Sequence, residues 1–240
     1  GHQRPDSTRG RGWWRSVAAV GMLTALAWLG ANELDRFVNR QPAIDPAALP
    51  VIAVMPLSNV SGDPSRDFVA AGIAESLIAS LASLPSVTVL SRASVTEART
   101  RARDEAALAK DLGATYVVNG SVQESNGTLR ISLNLVKPDR TVAWGESVEG
   151  AFDRIFELQA RLATALTSAL VVRVSASERE RMNAQPTTSA AALSEYWQGK
   201  ALLERSDVKG NVDAAISAFE SALRLDSRFS LAHAALSQSF

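Results

Sequence analysis

Tyr116-Val117-Val118-Asn119-Gly120-Ser121-Val122, then Asn126-Gly127, then Leu129-Arg130-Ile131-Ser132-Leu133-Asn134-Leu135 is the stretch that decides the fold. Its last part alternates apolar with polar residues, the period of a strand that buries one face. Asn126-Gly127 predicts a two-residue hairpin turn, because both residue types accept positive φ. Pro138-Asp139 turns the chain again, and Val142 to Val148 returns. A three-stranded meander results.

Upstream, Val51-Ile52-Ala53-Val54-Met55 is a short continuous apolar run, as in a strand covered on both faces. Asp63 and Pro64 make an N-cap and first-turn pair for a helix. That helix repeats apolar residues at Val69, Ile73, Leu77 and Leu81 and stops at Pro85. Val87 to Leu90 predicts a second strand. Residues 93–112 read as helical with a break near Arg103, and Gly113 as the stop. Downstream, residues 152–172 carry Ile155, Leu158, Leu162, Leu166 and Leu170 on one helical stripe. The order βαβα, three strands, then α predicts a mixed-sheet α/β sandwich over residues 49–174.

Residues 175–190 are charged and then rich in Thr, Ser and Ala, with Pro186, and read as a connector. Residues 191–240 read as the start of an all-α array of helical hairpins. Small residues at Ala215 and Ala222 let paired helices approach, Phe219 fills the gap between them, Gly199 with Leu202 and Leu203 supplies the preceding helix, and Leu236 continues the pattern.

At the other end, residues 1–12 read as a polar linker and 33–48 as a proline-containing spacer. Between them, Ser16 to Asn32 holds no charge. At 1.5 Å per residue this run spans ~25 Å, the short end of a bilayer core. Trp13 and Trp14 sit where an interfacial aromatic belt belongs, Arg15 can snorkel, and Trp28 lies within the apolar run. Residues 13–32 thus predict a transmembrane helix, with a signal peptide and a buried core helix as alternatives. Arg4, Arg9, Arg11 and Arg15 precede it, against Arg36 and Arg40 after it. The positive-inside rule then predicts a single-pass inner-membrane protein, N-terminus cytoplasmic and residues after 33 outside. Gly1 in place of methionine and Phe240 inside a helical pattern predict that both ends are open.

Lys plus Arg and Asp plus Glu each number 25, giving no net charge, and a nucleic-acid partner is not expected. The absence of cysteine excludes disulfides, thiolate metal sites and cysteine nucleophiles.

The segment Ile52 to Pro64, the segment Leu112 to Val122, the strand Val142-Ala143-Trp144-Gly145-Glu146 and the helix start Phe152 to Gln159 resemble the TolB amino-terminal-like domain. Residues from Gly199 to Phe240 resemble tetratricopeptide repeats, with Ser227 in place of the usual proline and His233 where an aromatic residue is common. The resemblance implies an architecture that follows a cytoplasmic output domain. Output domains of this kind resemble serine/threonine protein kinases, class III nucleotide cyclases or winged-helix regulators, and the Arg-containing linker suits the kinase best. No catalytic, cofactor or metal residue is expected in this chain; ATP and Mg enter only with an upstream kinase domain.

His2 lies in the polar leader, and His233 reads as an ordinary helix residue without the further ligands of a metal site. Ser58, Asn59, Ser61, Gly62 and Asp63 lie at the C-terminal end of a strand, the first place to look for a small ligand. A capped turn is the better reading there, since Asp63 would repel phosphate and the glycines and lysine of a nucleotide loop are missing. Arg99, Arg101 and Arg103 read as a solvated helix end, Trp144 as core, and Tyr196 and Trp197 as repeat packing. The expected function is an extracytoplasmic sensory region that docks a protein or peptide on its repeats. Binding would be relayed by reorienting the membrane helix or by a homodimer. An envelope scaffold without an output domain is the alternative.

Overall fold

The computed structural model describes residues 49–170 and 172–239, and the unit from Leu49 onward is compact. The segments read as linker, membrane helix and spacer lie outside the described residues. Among the described residues no helix is long and apolar enough to cross a membrane.

Strands β1 (Val51–Val54), β2 (Ser58–Asn59), β3 (Thr88–Val89), β4 (Tyr116–Ser125), β5 (Thr128–Val136) and β6 (Val142–Ala151) form one mixed sheet. Its order is β3-β1-β4-β5-β6, and β2 continues beside β4. β1 runs parallel to β3 and β4, while β4, β5 and β6 form the antiparallel meander. The hairpin turn forms at Asn126 and Gly127, with φ of 50° and 74°. β2 was not legible as a strand: it is two residues long and polar.

Alternation along the strands sorts side chains into two cores. Ile52, Val54, Val118, Val122 and the β5 residues Leu129, Ile131, Leu133 and Leu135 face helices α1 (Asp67–Ala82) and α4 (Ile155–Ala169). Ala53, Met55 and Val117 face α2 (Arg92–Arg101) and α3 (Glu105–Asp111) on the other side. The break read near Arg103 separates α2 from α3, where Asp104 caps the second helix through the Ala107 amide. Asp63 caps a single 3-10 turn, Pro64–Arg66, and α1 follows at Asp67. A second such turn, Phe152–Arg154, leads into α4.

Four more elements complete the unit. α5 (Ala176–Met182) lies inside the segment read as a connector, closed by a capping box between Ser175 and Glu178 and burying Met182. α6 (Ala190–Leu203) and α7 (Asn211–Leu225) pair as a hairpin, and α8 (Ser230–Ser237) begins the next turn of the array. α6 packs on α1, and Leu193, Trp197, Phe229 and Ala232 belong to the same apolar cluster as the sheet, while Ala215, Phe219 and Ala235 form a small cluster between the helices themselves. Trp197 is 4% exposed, and a Cβ at Gly72 would lie 2.1 Å from its ring. Trp197 therefore packs on the α/β layer, not within the repeat.

At the far end of the hairpin, buried Thr187 donates its hydroxyl to Asp226 Oδ2 at 2.6 Å and accepts from the Ser189 amide. The Thr187 hydroxyl, then the Arg228 amide, holds the Asp226 carboxyl below the usual aspartate range. Asp104 and Asp139 are lowered in the same way by hydrogen bonds from Ala107 and Thr141.

Truncating Trp197→Ala is expected to lower unfolding free energy by about 3–5 kcal/mol, the usual range for a buried Trp. Gly72→Ala, which forces the indole to shift, is expected to lower it by about 1–3 kcal/mol. Because the two residues share one contact, urea denaturation of the double variant should show less than the sum. Additive losses would mean the contact is not made.

Carboxyls with lowered folded pKa stabilise above their unfolded pKa, and that contribution disappears as pH falls through the folded value. Thermal unfolding followed by circular dichroism should therefore show stability steady near neutrality and falling below the ordinary aspartate range, about pH 4. Asp226→Asn is expected to blunt that fall.

Candidate functional site

The turn from Ser58 to Asp63 is closed by its own hydrogen bonds. Asn59 Nδ2 donates to the Asp63 carbonyl at 2.8 Å and to Asp67 Oδ1 at 2.7 Å, and its Oδ1 accepts from the Ser61 amide. Ser61 Oγ accepts from the Glu124 amide at 2.7 Å. Asp63 accepts from the Ser65 amide, and the Ser65 hydroxyl, then that amide, hold its carboxyl below the ordinary range. Gly62 provides the left-handed residue of the turn, at φ +80°. Of these five residues, Ser58 lines an open recess.

That recess holds about 300 Å³ beside the C-terminal end of β1. It forms because α2 and α3 cover only part of their face of the sheet. Beyond them the strands present a polar strip: Asn119, Ser121, Ser132 and Asn134 line the recess with Arg99 and Glu105. Asn119 donates to Glu105 Oε2 at 2.7 Å, and Asn134 donates to Asn119 Oδ1 at 3.2 Å. Farther along the same face, Arg130 pairs with Glu149 and the Ser132 and Ser147 hydroxyls meet at 3.0 Å. Chemically the strip is a network of donors and acceptors suited to small polar molecules. Arg99 was read with Arg101 as a solvated helix end. Arg101 does pair with Glu97 at 2.6 Å, while Arg99 reaches the recess.

Among the helical residues, Gly199 and Phe219 meet directly: a Cβ on Gly199 would lie 2.5 Å from the Phe219 ring. Ala215 is buried with Phe219, and half-buried Leu236 packs against them. Ala222 belongs instead to the main core. Tyr196 lies between Phe219 and Phe229, with ring centroids 6.0 and 5.1 Å away. His233 is exposed, its Nε2 2.9 Å from the Ser227 carbonyl. Among the described residues no group of His, Cys, Asp and Glu is placed to hold a metal ion. Trp13, Trp14, Arg15 and Trp28 lie outside the described residues.

Three pairings had no sequence signal. Arg92 bridges Glu75 of α1, at 2.7 Å, and Glu204 beyond α6. Arg66 holds Glu124 through both nitrogens and stacks over Phe68 and Phe152. Thr187 with Asp226 is the third. Each joins residues far apart in sequence, which local periodicity does not reach.

No protein-family model matches the chain. A protein of Rhizobium meliloti (strain 1021), described as "Putative adenylate cyclase 3", is 28% identical over 193 residues. The match covers 79% of this chain and 32% of that protein, so the chain spans about a third of its relative's length. Among solved structures, TolB from Acinetobacter baumannii aligns at 19% identity and a TM-score of 0.40, covering 52% of this chain and 29% of that one. Lipoprotein GNA1162 from Neisseria meningitidis aligns at 20% identity and 0.38, covering 52% and 99%. The LpoB C-terminal domain from Salmonella enterica aligns at 18% identity and 0.37, covering 43% and 84%. At these scores the solved structures assign no function to the chain.

Proposed function

We propose that this chain is the partner-binding, non-catalytic region of a membrane-anchored bacterial signalling protein, with its output domain upstream. The observation that carries the reading is the shared core. The hairpin helices are welded to the α/β layer through Trp197 and Phe229, so a partner held by the helices bears directly on that layer. A protein or peptide is the natural occupant of such an array.

The Rhizobium meliloti relative supports a cyclase as the output domain. Its alignment is four times longer than the 48 residues preceding the described unit, so most of it falls on the α/β and helical part. The relative therefore shares the region that would sense and extends well beyond it. A cyclase output takes first place on that ground. A serine/threonine kinase, with its ATP and Mg, and a winged-helix regulator remain alternatives that rest on the family resemblance alone. Residues 13–32 would carry the anchor, and the polar recess that Ser58 lines is a secondary ligand end.

The complete protein, assayed in membranes, is expected to convert ATP to cyclic AMP. Deleting residues 188–240 should change that output by at least about 5-fold, the low end of ordinary allosteric coupling. A complete protein that makes no cyclic AMP, phosphorylates nothing and binds no DNA would leave only the scaffold reading. For the anchor, alkaline phosphatase fused after residue 48 should be active in cells, and the chain should resist carbonate extraction. A freely soluble chain would end the receptor reading.

A further inference from the structure

The seam between the α/β layer and the helices frames a cleft of about 470 Å³ that is open on one side, within the ordinary size of small-molecule sites. α1 and α4 form one wall with Glu75, Ser76 and Gln159, and α6 and α8 form the other with Leu193, Tyr196 and Leu231. Pro186 adds exposed apolar surface, and Arg181 stands at the exposed rim.

One side chain there is out of balance. Gln159 Nε2 is closed off from solvent and has no hydrogen-bond partner among the described residues. Native proteins satisfy buried donors in the great majority of cases, so an unmet one calls for a reason. Gln159 also lines a narrow cleft beneath the cavity, shared with Ser76 and Ser80. Gln159 thus lines the cavity on one side while its amide nitrogen lies sealed beside it.

The charges define the acceptor. Glu75 is engaged by Arg92 at 2.7 Å, which offsets its repulsion of an anion. Arg181 makes no ion pair among the described residues and supplies a cation at the mouth. Burial, then Glu75, raises the Tyr196 pKa, so its hydroxyl stays protonated and able to donate.

We infer that this seam is a binding site for a small monocarboxylate with an apolar body, its carboxylate meeting Gln159 and Arg181 and its body lying on Pro186, Leu231 and the Tyr196 ring. Such a ligand touches both halves of the unit and stabilises their docking by linkage. Only its regulatory meaning rests on the proposed signalling role; binding itself does not.

The probe is trifluoromethyl-phenylacetate, followed by fluorine NMR with the 240-residue chain in lipid nanodiscs and empty nanodiscs as the blank. Saturable one-site binding is expected. Gln159→Leu removes the donor, and Leu231→Glu places a negative charge on a side chain already 44% exposed, where folding is not at risk. Each should weaken binding by about 10-fold, equivalent to ~1.4 kcal/mol, while Arg99→Ala in the polar recess leaves it unchanged. No saturable binding above the blank, or equal binding in both seam variants, overturns the site. Binding that holds while the complete protein's output ignores the probe overturns the signalling role and leaves the site standing.

Discussion

The unit depends on one steric permission: position 72 has no side chain, and the Trp197 ring occupies the space a Cβ would need. Only on that condition can α6 lie flat on α1. An indole removes roughly 200 Å² from water, worth up to ~5 kcal/mol at about 25 cal/mol per Å². The Arg92 bridge to Glu75 and Glu204 lies along the same seam, but its members are a third or more exposed. Exposed pairs contribute about 0–1 kcal/mol. Packing therefore sets the docking, and the charges set its edges.

From that contact the core runs without a break. β5 contributes a full row of leucine and isoleucine to one face, α1 and α4 cover it, α6 lies on α1, and α7 and α8 follow by packing in turn on α6 and α7. The opposite face is treated differently. α2 and α3 shield the β1 side, and the rest of that face is built from Asn, Ser and paired Arg–Glu side chains. Period-two alternation in β5 produces both results at once, since each apolar residue turned inward turns a polar neighbour outward. The recess is where the helical cover ends.

Much of the local architecture was legible because it has a local cause. The Asn126-Gly127 turn, the β5 alternation and the stripe from Ile155 to Leu170 each state their geometry within a few residues. Ala215, Phe219 and Ala222 mark a buried helical face for the same reason, but the direct contact of Gly199 with Phe219 is not stated by spacing. What escaped was partner choice. Periodicity shows that Trp197 is on a buried face, but not that the face opposite belongs to α1. β2 is too short and polar to carry a strand signal, and it exists because Val60 and Ser61 bond to β4. α5 hides in a segment whose composition reads as a linker; a capping box and one buried methionine hold it in place. Gln159 sits on the polar-looking side of an otherwise regular stripe, and no sequence rule shows that its amide lacks a partner.

The shared core also narrows how a bound partner could act. A hairpin on a loose connector could swing freely and leave the α/β layer unmoved. Here α5, Thr187 and Asp226 fix the approach to α6, and Trp197 fixes α6 to α1. Displacing the hairpin must therefore either expose the indole, at an energy most weak partners cannot supply, or carry α1 with it. α1 packs directly on the strands that begin at Val51, the first element among the described residues. A load on the helices thus reaches the start of the α/β layer through packed side chains, with no flexible joint between. The polar turn at Asn59 adds no such freedom, because its hydrogen bonds close on themselves and on β4.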